Sequence, residues 1–255
     1  MKSNNPFINK AFEKSVDGSI QTGSNFLTHS IGETMTVSGT INKSFILLAM
    51  LVASAYFTWN FFPAFPFSPT VILIGSGIIG FVLVLISVFK ANLSPYLAPA
   101  YAVVEGVFVG AISLFFNQLY PGIVVNAVAA TMITFLTMFV LYRTGVVKAT
   151  EKFKSVVIGA TLAIGAFYLM NLVLYFVFKI EPISSGNSWL SIGISAVVVV
   201  VAALNLILDF DTIEQGTEMQ APKYMEWYAS MGLMITLVWL YLEILRLLSK
   251  LNSRD

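Results

Sequence analysis

The chain predicts an all-α membrane protein, a bundle of seven transmembrane helices. Three observations predict it. The composition is 57% hydrophobic and 11% charged, with a mean hydropathy of +0.84, against the roughly 25% charged residues usual in soluble domains. From Ser44 onward the sequence divides into seven apolar runs, each near the roughly 20 residues a helix needs to cross about 30 Å of hydrocarbon. The breaks between them are short and carry Pro, Gly and Lys.

Residues 1–43 are a different material, rich in Ser, Thr, Asn and Gly, with short apolar patches such as Ile8 to Phe12. A flexible or partly helical cytoplasmic arm is expected there. Its start lacks the apolar stretch of about 7 to 15 residues of a secretory signal, so the first span is expected to remain in the mature protein. The spans form one domain over 44–250. The first covers 44–62 and is closed by Pro63, Pro66 and Pro69. The second, 70–90, ends at Lys90-Ala-Asn-Leu-Ser-Pro95, and the third, 95–116, at Tyr120-Pro121-Gly122. The fourth, 121–142, is followed by Lys148 to Lys154, and the fifth, 155–179, by Lys179 to Ser188. The sixth, 189–209, is followed by Glu214 to Lys223, and the seventh covers 225–249. Connections this short make neighbouring spans antiparallel.

Cytoplasmic loops carry the excess of Lys and Arg near span ends. With seven spans, Lys2, Lys10, Lys14, Lys43, Lys90, Arg143, Lys148, Lys152, Lys154 and Lys223 fall on one side, and Lys179, Lys250 and Arg254 on the other. The N-terminus is therefore expected in the cytoplasm, and a bacterial inner (plasma) membrane fits the pattern. With 14 basic and 13 acidic residues the formal charge is only +1, so no basic field attracts nucleic acid. There is no cysteine, which excludes disulfides, thiolate metal sites and cysteine nucleophiles. The one histidine, His29, lies in the polar arm, where a solvated loop residue is expected.

Small residues mark close helix approaches: Gly106-x-x-x-Gly110 in the third span, Gly75, Gly77 and Gly80 in the second, and Gly193 with Ser191 and Ser195 in the sixth. Trp59, Trp189 and Trp227 fall near span ends as interfacial anchors, with Trp239 deeper, toward the core.

Charges are rare here, so their positions carry the functional signal. A charged side chain at mid-bilayer costs roughly 2.5 to 3.5 kcal/mol on insertion scales and usually faces the protein interior or water. Glu105 sits mid-span in the third run. Its plain reading is a structural acid paired with a neighbouring helix. Asp209 and Asp211 close the sixth run, and at i and i+2 they point to different sides of a helix, so one of them is expected to face the bundle. In the last span Thr236, Glu243 and Lys250 are seven apart and Arg246 lies three beyond Glu243, which places them on one stripe. The stripe is either a self-satisfied Glu243–Arg246 pair with the arginine snorkelling, or an inward face that meets Asp209 or Glu105.

These residues resemble the Bax inhibitor-1 family, also called the transmembrane Bax inhibitor motif family. The carriers are the seven spans, the sixth ending in Asp209-x-x-x-Ile213, and a last helix finishing in Leu245-Arg246-Leu247-Leu248. The bacterial branch is closest, through Ala221-Pro-Lys-Tyr-Met-Glu-Trp-Tyr228 leading into Leu237-Val-Trp-Leu-Tyr-Leu-Glu-Ile-Leu-Arg246. The resemblance implies a bundle with the last helix central, acting as a pH-sensitive calcium leak. A carboxylate on the sixth span then hydrogen-bonds one on the seventh, and protonation sets whether the cytoplasmic end is open. Asp209 matches the first aspartate, with Asp211 as competing match, and Arg246 matches the terminal arginine. Ten residues before Arg246, where some members carry the second aspartate, this chain has Thr236. An acid of the second span that pairs with the arginine in some members has no counterpart at 70–89. If the acids cluster, the working set is Glu105, Asp209, Asp211 and Glu243, with Arg246 as counter-cation.

Three function classes follow. The first is a pH-gated leak for calcium or another cation. The second is a non-transporting interaction protein, since the family includes members that associate with a membrane-bound AAA protease; the polar arm would suit such a partner. The third is an intramembrane enzyme, and the sequence argues against it. It has no Gly-x-Gly-Asp, no His-Glu-x-x-His and no histidine in any span. No cofactor is expected, and the metal question stays open.

Overall fold

The reasons these residues form helices are visible at their ends. In the computed structural model, which describes residues 33–61, 68–179, 186 and 188–253, seven long helices follow one another without a β-strand among the described residues. They are α1 (Val37–Phe61), α2 (Pro69–Phe89), α3 (Ser94–Leu119), α4 (Ile123–Arg143), α5 (Glu151–Phe178), α6 (Trp189–Glu218) and α7 (Met225–Asn252). Hydroxyl caps start three of them: Ser68 accepts from the Val71 amide at 3.4 Å, Thr150 from Phe153 at 3.3 Å and Ser188 from Ser191 at 3.2 Å. One 3₁₀ turn, Ala91–Leu93, is all that separates α2 from α3. Lys179 (φ 56°) turns the chain at the end of α5, and Gln220 (φ 52°) does so in the turn before α7. All seven are long and apolar enough to cross a bilayer, and this is a multi-pass membrane protein.

Three boundaries differ from the sequence reading. Helix α1 begins at Val37, so the stretch 34–43, grouped above with the polar arm, is ordered, and only residues 1–32 of that arm lie outside the described residues. Helix α5 begins at Glu151. Helix α6 continues nine residues past the expected end at 209, to Glu218. Asp209 and Asp211 are therefore interior helical residues. No proline falls from Asp211 to Glu218, and the polar side chains support the helix locally: Gln215 donates to Asp211 at 2.5 Å, and Thr217 to the Ile213 carbonyl at 3.0 Å.

Packing between helices in lipid depends on close approach and polar contacts rather than on hydrophobic expulsion. The α1–α3 contact brings backbone against backbone. A Cβ on Gly106 would stand 2.5 Å from the Leu51 carbonyl oxygen, and one on Gly110 2.6 Å from that of Ala55, while Ser54 donates across the same seam to the Val103 carbonyl at 2.7 Å. In α2 only Gly80 is crowded, against Glu105 and Tyr101; Gly77 merely touches Phe108, and Gly75 faces open space. Gly193 also faces open space. The close-approach role expected of it is absent, because α6 is rotated so that its neighbours Ser191 and Ser195 are the buried pair.

Helix α7 packs against α1, α3, α4 and α6 and carries more buried residues than any other helix. Its core side chains Leu240, Ile244 and Leu245 are sealed, and Trp239 rests half-buried against that core. Helix α4 is held to α6 by Phe210, whose ring meets Phe135 and Phe139 at centroid distances of 5.7 and 5.5 Å. Trp189 is exposed.

Candidate functional site

The polar residues of the spans do not gather in one place. No three acidic or histidine side chains converge among the described residues, so the working set of four acids divides among separate environments.

Asp209 is partly buried. It lies on α6 between Ile207 and Phe210, both buried, and its Oδ2 is buried with no hydrogen-bond partner. Across the interface its carboxylate meets the hydroxyl of Thr236 on α7, which also lies 3.3 Å from the Gly232 carbonyl. The two positions that the resemblance pairs as aspartates thus do face each other, one as an acid and one as a threonine. One turn earlier on α6, Asn205 donates to Thr161 of α5 at 2.8 Å, adding a polar rung beside this pair.

Asp211 points elsewhere, as the i, i+2 spacing requires. Lys154 of α5 holds it at 2.8 Å, and Glu214 accepts from Tyr142 of α4. Asp211, Glu214 and Tyr142 line an open cleft of about 350 Å³ with Arg143, Lys148 and Thr150. It lies at the end of the bundle that also holds Lys43, called here the Lys43 end.

Glu243, 2% exposed, is bound by Arg246 on its own helix at 2.9 and 3.1 Å. Tyr168 of α5 completes the arrangement. Its hydroxyl donates to Glu243 at 2.9 Å and accepts from Arg246 at 2.9 Å, while the guanidinium sits 5.3 Å from its ring centroid. Arg246 keeps 40% of its side chain exposed. Glu243 reaches neither Asp209 nor Glu105 by any hydrogen bond. Glu105 lies at the α2–α3 interface with Tyr101 as its hydrogen-bond partner and Gly80 opposite.

At the far end of α7, Lys250 is buried and donates to the Ser195 hydroxyl at 2.7 Å and to the Ser191 carbonyl at 3.2 Å. Thr236, Glu243 and Lys250 therefore all turn toward α5 and α6, as three rungs about 10 Å apart along one helix face.

Sequence reading missed two participants. Tyr168 sits in a run that reads as continuous hydrocarbon, and only its phenolic oxygen in mid-span hinted at a partner. Glu226 was passed over as part of a terminal motif. It is fully buried and accepts from the Thr36 amide at 2.8 Å, the Thr36 hydroxyl at 2.9 Å and Lys223 at 3.2 Å, with Lys43 as a fourth partner. A Cβ at Gly39 would fall on this carboxylate. Beside it the Met35 amide donates to the Ala221 carbonyl at 2.7 Å, and Thr34 and Pro222 form a short antiparallel bridge. The first turn of α1 and the first turn of α7 are thereby fastened together.

A model of the Bax inhibitor 1 like family matches residues 5–253. No curated protein matches the chain.

Proposed function

Since the chain belongs to the Bax inhibitor 1 like family of membrane proteins, we propose that it is a pH-sensitive cation leak, with calcium as the ion to test first. The observation that carries this reading is the partnerless Oδ2 of Asp209, buried between helices and facing Thr236. A carboxylate in such a place resolves its unsatisfied oxygen in one of two ways. Protonated, it is neutral and keeps the α6–α7 seam dry. Ionised, it draws in water and a cation. Flux is therefore expected to rise as pH rises. Asp211 and Glu214, with their cleft at the Lys43 end, stand next to this seam as the cytoplasmic mouth, and the Asn205–Thr161 rung continues it inward. Glu243 is paired with Arg246, and Glu105 lies at the α2–α3 interface rather than in this seam, so the responsive group in the seam is Asp209. The protein is placed in the inner membrane with its N-terminus in the cytoplasm on the distribution of Lys and Arg.

The test is calcium flux into liposomes containing the purified protein between about pH 6 and pH 8. The parent is expected to leak more at the higher pH, and Asp209→Asn to leak at one rate throughout. A parent that leaks no faster than empty liposomes at every pH removes this reading.

One feature favours a second reading, a non-transporting partner of a membrane-bound AAA protease or of a stress-response protein. Residues 34–36 are fastened to the start of α7 through Glu226 and Ala221, so a pull on the preceding arm acts on α7. Deleting residues 1–32 should then abolish partner capture while leaving any flux intact.

A further inference from the structure

We propose that Lys250 is a tethered cation that closes the far end of the α5–α6–α7 polar seam, and that its ammonium sets the resistance of that end to ions of like charge. The inference rests on the leak reading above and names the element that limits it.

The side chain is enclosed at 6% exposure, and its ammonium is held by a hydroxyl and a backbone carbonyl, Ser195 Oγ and Ser191 O, on residues that are themselves buried. Uncharged oxygens of these two kinds are the ligands a partly dehydrated metal cation takes from a protein. An ordinary buried lysine is paired with a carboxylate. Here the nearest acid on the same face, Glu243, is already taken by Arg246 and Tyr168. The charge of Lys250 is therefore not cancelled by a contact partner among the described residues, and its position on α7 is about 10 Å from that of Glu243 by helical rise. Asp209 and Thr236 lie a further rung away, so the acid-lined part of the seam is separated from the Lys250 end by two basic side chains, Arg246 and Lys250.

At an effective dielectric constant of about 20, one unit charge at roughly 10 Å changes the local concentration of a monovalent cation by about tenfold, and that of a divalent cation by more. A fixed positive charge at a constriction is a physical means of excluding cations. The cation-exclusion role predicts dependence on charge. A role limited to pinning α7 to α6 would depend only on packing.

The absence of cysteine from the chain allows both to be read on one sample. Lys250→Cys introduces a unique thiol. Calcium and potassium flux into liposomes is measured for this variant before and after reaction with a positively charged aminoethyl methanethiosulfonate, and in parallel with its neutral ethyl analogue. Before reaction the variant is expected to leak potassium about tenfold faster than the parent, and calcium by a larger factor. The charged adduct is expected to return flux to the parent level, and the neutral adduct to leave it high. Lys250→Arg should leak like the parent. If Lys250→Cys and both adducts all match a leaking parent, or both adducts shift flux alike, the tethered-cation role is overturned while the leak reading stands. If neither parent nor variant conducts under any condition, the leak reading fails and the inference with it.

Discussion

Asp209 and Glu243 show how far a carboxylate's neighbours decide its use. Both are acids inside spans, yet Glu243 holds a guanidinium and a phenol while Asp209 holds one threonine hydroxyl. The Glu243–Arg246 contact was legible from spacing, because residues three apart share a helix face. The third member was not, because nothing local to Tyr168 announces which of its faces meets α7. Tyr168→Phe removes one donor from Glu243 and one acceptor from Arg246, and is expected to destabilise the protein by about 1 to 3 kcal/mol, read as a lower midpoint of thermal unfolding in detergent. It should leave the pH response of flux in place, since that response is assigned to Asp209. Glu226 lay beyond sequence reasoning for a different reason. Its partners Thr36 and Lys43 are far away in the chain, in a stretch that reads as arm. Glu226→Gln leaves Lys43 and Lys223 facing each other without their shared anion, and a loss of about 3 kcal/mol is expected; an unfolding midpoint equal to that of the parent would contradict it.

At the scale of helices, number and order were legible because length and apolarity are properties of each segment alone. Helix ends were less so. The polar turns Asp211–Glu218 and Glu151–Lys154 read as loop by hydropathy, yet both are helical, since capping by Thr150 and the Asp211–Gln215 contact act where hydropathy is blind. The glycines divide in the same way. Gly106 and Gly110 stand where α1 and α3 bring backbone against backbone; Gly75 and Gly193 have open space over them. Gly106→Ala is therefore expected to cost about 1 to 3 kcal/mol by overpacking, while Gly75→Ala changes stability by no more than about 0.5 kcal/mol. Paired thermal unfolding of the two variants checks both at once.

At the scale of the molecule, the resemblance supplied the importance of α7, and the contacts explain it: Thr236, Glu243 and Lys250 all face α5 and α6, while Glu226 binds α1. What sequence could not supply was the partition of acids among separate interfaces, because that depends on the rotation of each helix about its axis. Moving Thr236 back to an acid is informative here. Thr236→Asp places a second carboxylate against Asp209, where two like charges cannot both ionise readily. The pH at which flux begins to rise is expected to move upward relative to the parent, and an unchanged profile would argue that the two side chains do not share the seam. The position of α7 also bears on how the protein is made. Helices are synthesised from the N-terminus, so the element that satisfies Thr36, Lys43, Tyr168, Ser191, Ser195 and Asp209 emerges from the ribosome last. Until it inserts, those groups of the earlier helices lack the partners that α7 supplies. Completion of the bundle is thus coupled to completion of translation, and a nascent chain that stalls within its final segment exposes those polar groups together to the machinery that removes unfinished membrane proteins.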